Sequence, residues 1–156
     1  SMAGCMGSSV KEKFIKYFSK IAEETAKLSY AKKLKVGCVI VKDRRILSIG
    51  YNGTPSGWDN QCETSGGGEF STPDAWRTKE EVIHAEANAL MKLTQSTESS
   101  EGSVMFVTHM PCIECAKLIY QAGIKEIYYI NEYNASKGTG ADFLDKAGIA
   151  VCQIPG

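Results

Sequence analysis

Two short segments, 27 residues apart along the chain, set the terms for this fold. His84-Ala85-Glu86 offers an imidazole and a carboxylate, and Pro111-Cys112-Ile113-Glu114-Cys115 offers two thiols. Cys112 and Cys115 are three residues apart, so on a helix they share a face and can grip one ion. Pro111 suits the first turn of that helix, where its missing N–H costs nothing. The partial positive charge at a helix start also favours the thiolates a metal needs. His84 and Glu86, two residues apart, point to different sides of a regular helix. Both reach one ion only if the site lies over the N-terminal end of their helix. We therefore start that helix at about His84, not at the capping box Thr78-x-x-Glu81.

The joint pattern H-x-E…P-C-x-x-C is the signature of zinc deaminases of nucleobases. His84, Cys112 and Cys115 are the metal ligands in this reading, and three ligands leave the fourth tetrahedral position of Zn²⁺ open, the mark of a catalytic site. Glu86 is then the catalytic residue, a shuttling carboxylate that takes a proton from water, delivers it to the substrate ring and protonates the leaving amine. Blander readings exist for each part. A lone CxxC is also a redox pair or half of a structural zinc knuckle, although a second CxxC is absent. The chain has two histidines. His109 would close the site as a fourth ligand, or else it ends a strand and lines the pocket.

At 156 residues the chain is long enough for one domain with a substantial core. Ser1-Met2 resembles a tag remnant; residues 1–8 are expected to be a disordered N-terminus ahead of a single domain at 9–156. There is no apolar run long enough to span a membrane and no secretory signal. Eighteen acidic residues balance eighteen basic ones, so bulk charge gives no reason to expect nucleic acid as a partner. The remaining cysteines, Cys5, Cys38, Cys62 and Cys152, show no disulfide framework, which suits a cytoplasmic setting. Cys38 and Cys152 read as small core side chains.

Residues 9–33 read as a long amphipathic helix opened by the capping box Ser9-x-x-Glu12, with Val10, Phe14, Phe18, Ile21, Thr25 and Leu28 at helical spacing. A hairpin follows, with strands at 36–42 and 45–51 and a turn at Asp43-Arg44. The stretch G-Y-N-G-T-P-S-G-W-D from Gly50 to Asp59 is either a long irregular turn or a ligand cradle, since small residues let backbone N–H groups approach phosphate or ribose. Residues 60–77, with Gly66-Gly67-Gly68, read as a mobile insertion or active-site flap. Beyond helix 84–94, the expected elements are a strand at 103–108, helix 112–122, strand 126–131, helix 140–147 and strand 149–154. Gly123 and Gly148 fall where helix stops belong. A hairpin followed by alternating strands and helices implies an α/β fold: a mixed five-stranded sheet with helices on both faces.

With these motifs and the stretch C-A-K-L-I-Y-Q-A-G-I-K-E-I in hand, the chain from about Val36 to Ile154 closely resembles the deoxycytidylate (dCMP) deaminases. The resemblance implies the three-layer α/β/α cytidine-deaminase-like fold, one catalytic Zn²⁺ per subunit, and hydrolysis of dCMP to dUMP and ammonia, which supplies the dTTP precursor. It carries over His84, Cys112 and Cys115 as zinc ligands and Glu86 as proton shuttle. It also implies that Asn52 hydrogen-bonds the deoxyribose and that Tyr133 packs against the nucleotide. Many members are homohexamers activated by dCTP and inhibited by dTTP with Mg²⁺; the resemblance puts that allosteric nucleotide at Gly50, Tyr51, Asn52 and Gly53. Some relatives hold a second zinc in the loop before H-A-E, but that loop here has Cys62 and no histidine. Some carry an Arg after the Tyr133 position, where this chain has Asn134. Candidates for the 5′-phosphate are then Thr54, Ser56, Ser136 and Lys137. Two other classes remain: a catalytically silent module that binds dCTP or dTTP, and a zinc deaminase of another cytosine or adenine substrate.

Overall fold

The computed structural model describes residues 8–64, 75–135 and 137–155. The expected disordered N-terminus up to residue 7, the middle of the expected flap (65–74) and Ser136 lie outside the described residues. The elements in chain order are α1 (Glu12–Ala26), β1 (Gly37–Lys42), β2 (Arg45–Tyr51), β3 (Glu63–Thr64), β4 (Arg77–Thr78), α2 (Ala85–Thr94), β5 (Val104–His109), α3 (Ile113–Gln121), β6 (Glu126–Asn131), α4 (Ala141–Lys146) and β7 (Ala150–Gln153). Five strands form one mixed sheet in the order β2-β1-β5-β6-β7. β1 runs antiparallel to both β2 and β5, whereas β5, β6 and β7 are parallel.

The central strands are nearly all apolar because both faces of the sheet are covered. Alternate side chains go to opposite layers, as the pleat requires. Cys38, Ile40, Met105, Val107, Ile127 and Tyr129 join the core under α2, α3 and α4. Val39, Val41, Val104, Phe106 and Tyr128 face α1 and pack on Ile15, Phe18 and Ala22. This is the expected three-layer α/β/α arrangement. The hairpin turn at Asp43 and Arg44 has φ of 51° and 64°, the left-handed pair that matches strand twist in a two-residue hairpin. Among the described residues, no helix is long and apolar enough to cross a membrane.

Three expectations need correction. The first helix ends at Ala26, not at 33, since Ser29 leaves the helix to donate its hydroxyl to the Asn52 carbonyl at 2.7 Å. Ser9 does not cap α1, whose N-cap is Lys11 with no side-chain cap; the Ser9 amide and hydroxyl both go to the buried Glu126 carboxylate. The ends of the expected flap are paired as the small β3–β4 ladder. Cys152 lies in the core as expected and is also disulfide-bonded, which the scattered cysteine spacing gave no reason to foresee.

Gly50 shows how closely a helix lies on this sheet. A methyl group there would run into the backbone carbonyl of Ala85 and the amide of Ala89 on α2, whereas one at Gly53 would meet nothing. Gly50→Ala should therefore destabilise the fold by about 1–3 kcal/mol, the usual cost of overpacking. Gly53→Ala should stay within about 0.5 kcal/mol of the parent. Urea unfolding midpoints of the two variants check this; equal midpoints would contradict the packing role of Gly50.

Candidate active site

The two motif segments meet at two helix starts. His84 is the N-cap of α2 with extended backbone (φ −68°, ψ 154°), and Cys112 is the N-cap of α3 in the same conformation (φ −72°, ψ 168°). Neither side chain is used to cap its own helix. They turn to each other instead: His84 Nδ1 lies 3.6 Å from Cys112 Sγ and 3.3 Å from Cys115 Sγ. The three ligand atoms all fall within 4.8 Å of one another, and no other such group of metal-binding side chains occurs among the described residues. One nitrogen and two sulfurs at this separation suit the short, soft bonds of tetrahedral Zn²⁺. His109 is not part of the group, so the described residues supply three ligands rather than a closed set of four.

Each helix start is braced from outside. Gly53 and Ile83 exchange both backbone hydrogen bonds (3.1 and 2.8 Å), which fixes the residue before His84. On the other side the Ile113 amide donates to Gly138 O and the Gly140 amide to Pro111 O. A side chain at Gly140 would strike Ala116 and the carbonyls of Pro111 and Cys112.

The electrostatics fit a metal and a proton shuttle. The Cys112 thiol is pushed down to about 3, first by the hydrogen bond from the Cys115 thiol and further by His84, against the effect of burial. The same contact pushes Cys115 up, with burial acting in the same direction. The pair thus shares one proton, which a bound cation would displace, as metal binding to thiols does generally. His84 is raised chiefly by its bond to Cys112. Glu86 is only 4% exposed, and burial lifts its carboxyl to about 7. A carboxyl poised near neutrality both takes and gives a proton readily.

These groups lie along a cavity of about 530 Å³, whose wall includes His84, Glu86, Cys112, Asn52, His109 and Tyr133. The Asn52 side chain accepts from the Val36 amide (2.9 Å) and donates to the Leu34 carbonyl (2.8 Å). One N–H and one lone pair remain for a ligand. Tyr133 stands edge-on to His109, ring centroids 6.2 Å apart. Lys33 also lines this cavity and was not among the expected residues; the signal for it is a basic pair, Lys32-Lys33, four to five residues before β1. Lys137 is close enough to oppose the protonation of His84. A second cavity, of about 300 Å³, is formed by the glycine-rich loop: Tyr51, Asn52, Gly53, Thr54 and Ser56 line it, and Gly50 does not. Thr54 and Ser56 thus line the second cavity and not the first, while Asn52 and Cys62 belong to both.

Fold and site together define a hydrolytic deaminase built around a His-Cys-Cys metal group and a buried glutamate. Residues 12–131 match the family described as cytidine and deoxycytidylate deaminase zinc-binding region, and the chain belongs to that family. It is 35% identical to the deoxycytidylate deaminase of Enterobacteria phage T4, over 78% of this chain and 79% of that one. It is 34% identical to ComE operon protein 2 of Bacillus subtilis, over 88% and 69% of the two chains. Its structure is similar to that of the dCMP deaminase of cyanophage S-TIM5 in complex with dCMP and dUMP, with TM-score 0.81 and 41% identity over 93% of this chain and 99% of that one.

Cys112→Ser should lower zinc affinity by more than the 10- to 100-fold typical of lost outer-shell contacts. Glu86→Gln should keep stoichiometric zinc while turnover falls by about 10²–10⁴, the usual contribution of a general acid–base. Metal analysis beside activity separates the two roles; zinc lost from Glu86→Gln, or retained at full affinity in Cys112→Ser, would reverse the assignments.

Proposed function

We propose that this chain is a zinc-dependent dCMP deaminase: water adds at cytosine C4, the 4-amino group leaves as ammonia, and dUMP is released. The observation that carries the reading is the cavity itself, with His84 and Cys112 of the metal group and Glu86 on its wall together with Lys33. Similarity over nearly the full length to a dCMP deaminase solved with dCMP and dUMP supports the choice of substrate. His84, Cys112 and Cys115 hold the zinc, which when bound supplies Lewis-acid activation of the attacking water. Glu86 accepts one proton from that water and passes it to the ring nitrogen N3, then takes the remaining proton of the new C4 hydroxyl and delivers it to the departing amine. Its burial raises the carboxyl to about 7, which suits it to both transfers.

Asn52 offers its remaining amide N–H and lone pair to the deoxyribose, and Tyr133 packs against the nucleotide. Lys33 and Lys137 provide the positive charge that meets the 5′-phosphate in place of Thr54 and Ser56, which line the other cavity. Ser136 stays a phosphate candidate on sequence grounds alone. The second cavity is the site for the regulatory dCTP, or dTTP with Mg²⁺, contacted at Tyr51, Asn52 and Gly53; Gly50 serves it indirectly by seating the loop on α2. The same reading makes the protein a cytoplasmic homohexamer that supplies the dTTP precursor.

Ultraviolet-monitored deamination tests this directly. Turnover of dCMP far above deoxycytidine, raised by dCTP and suppressed by dTTP with Mg²⁺, is the expected result. Zinc-loaded protein that turns over neither would favour the silent nucleotide-binding module or another substrate. Lys33→Ala should raise KM for dCMP about 10-fold, the loss of one charge-assisted contact in partly solvated surroundings, and leave the rate on deoxycytidine unchanged. An equal effect on both would remove Lys33 from the phosphate.

A further inference from the structure

His109 is the second of the chain's two histidines, and neither the metal group nor the proton shuttle uses it. Its ring is wired at one end. His109 Nδ1 lies 2.8 Å from the Thr108 hydroxyl oxygen, and that oxygen also accepts the Gly37 amide at 3.1 Å. Thr108 is buried, 4% exposed. The hydroxyl has one hydrogen to donate, and His109 Nδ1 is the acceptor available to it among the described residues. Were Nδ1 to carry a proton, two donors would converge on one oxygen and the buried hydroxyl hydrogen would be left unpaired, which buried polar groups avoid. The proton of the neutral ring therefore belongs on Nε2.

The other end of the ring is open. Among the described residues Nε2 has no hydrogen-bond partner, yet no buried side-chain nitrogen or oxygen there lacks one, so Nε2 is open to the cavity that His109 lines. The backbone there is rigid. His109 pairs with Asn131 across the parallel β5–β6 ladder; the Asn131 side chain donates to the Thr108 carbonyl at 2.9 Å and the Met110 amide to the Asn131 carbonyl at 3.0 Å. Burial lowers the proton affinity of the ring, which keeps it neutral. Tyr133 stands against the same ring.

We infer that His109 is a substrate-binding residue: a neutral imidazole whose Nε2–H, fixed by Thr108, donates a hydrogen bond to an oxygen acceptor of the bound nucleotide. Thr108 is then a positioning residue that acts through His109. The inference rests on the nucleotide reading given above. It assigns a specificity contact to a side chain that a metal-centred view leaves as wall.

Two measurements on the zinc-loaded protein test it. With two histidines, a ¹⁵N imidazole spectrum is simple, and His109→Gln assigns it by subtraction. At pH 7 the His109 ring should show a bare Nδ1 and a protonated Nε2, and adding dUMP should shift Nε2. Thr108→Val should give a mixed tautomer, and Thr108→Ser should restore the single one. In kinetics, His109→Phe should raise KM for dCMP by about 3- to 10-fold with kcat little changed, the size of one neutral hydrogen bond. His109→Gln, whose amide N–H can stand where Nε2–H does, should stay nearer the parent, and Thr108→Val should follow His109→Phe in KM. Deoxycytidine run in parallel identifies the acceptor: a penalty on dCMP alone puts it on the phosphate, an equal penalty on the nucleoside. A protonated Nδ1 in the parent, or an unchanged KM in a folded His109→Phe, overturns the inference. Failure of the nucleotide reading itself looks different, because the parent would then neither turn over dCMP nor shift with dUMP, while the tautomer would still be read.

Discussion

The site depends on two helix N-termini being aimed at one point. A residue at the N-cap has extended backbone and its side chain sits by the open first turn, where one that does not cap its own helix can face a neighbouring group. His84 and Cys112 both occupy that position with nearly the same dihedrals. Sequence spacing alone cannot create the convergence, since α2 and α3 are separated by β5. The sheet creates it: α2 lies on β1 and β2, α3 follows β5, and β1 pairs with β5. The metal group thus sits at the end of β5 where its chain leaves the sheet, the usual place for sites in α/β folds. Both helix dipoles present their positive ends there, which favours the thiolate at Cys112.

That convergence would be loose without its braces. Asn52 ties the segment ahead of β1 to the end of β2, through bonds from Val36 and to Leu34. One residue later, Gly53 pairs with Ile83, next to His84. The glycine-rich loop is therefore a mechanical neighbour of the metal group as well as the lining of its own cavity. Its glycines divide the work. Gly50 allows α2 to lie against β2, whereas Gly53 is open to space and needs no such clearance.

Much of this was legible in the sequence because the governing signals are local. Residues two apart diverge on a helix, so His84 and Glu86 can face one ion only from a helix start, and α2 does begin at Ala85. Strand β6 matches its expected bounds, Glu126 and Asn131, the polar residues that close its apolar run at either end. Failures came where a distant partner outbid a local one. Ser9-x-x-Glu12 has the form of a capping box, but Glu126, more than a hundred residues away, takes the serine. Ser29 abandons the helix pattern for Asn52. Gly140 buttresses α3 through contacts with Pro111, Cys112 and Ala116, and nothing in its neighbours along the chain announces that. Lys33 is likewise marked by where β1 starts, which places it over the cavity, rather than by any motif.

Charge placement bears on which ligand such a cavity suits. A protein that follows a nucleic-acid strand needs a basic track, with stacking aromatics along it. Here eighteen acids and eighteen bases leave no excess of positive charge, and at the cavity Lys33 shares the wall with Glu63 and Glu132. The Glu63 carboxylate is turned toward the backbone amides of Lys32 and Lys33 (2.9 and 3.2 Å), which fixes the chain bearing Lys33 while adding negative charge beside it. Such a mixed rim can meet one phosphate through one or two cations, but it would repel a continuous run of them. The cavity's polar groups converge on a small volume instead of spreading along a groove. A single nucleotide satisfies both conditions, and the neutral donor on His109 adds to its recognition without adding charge.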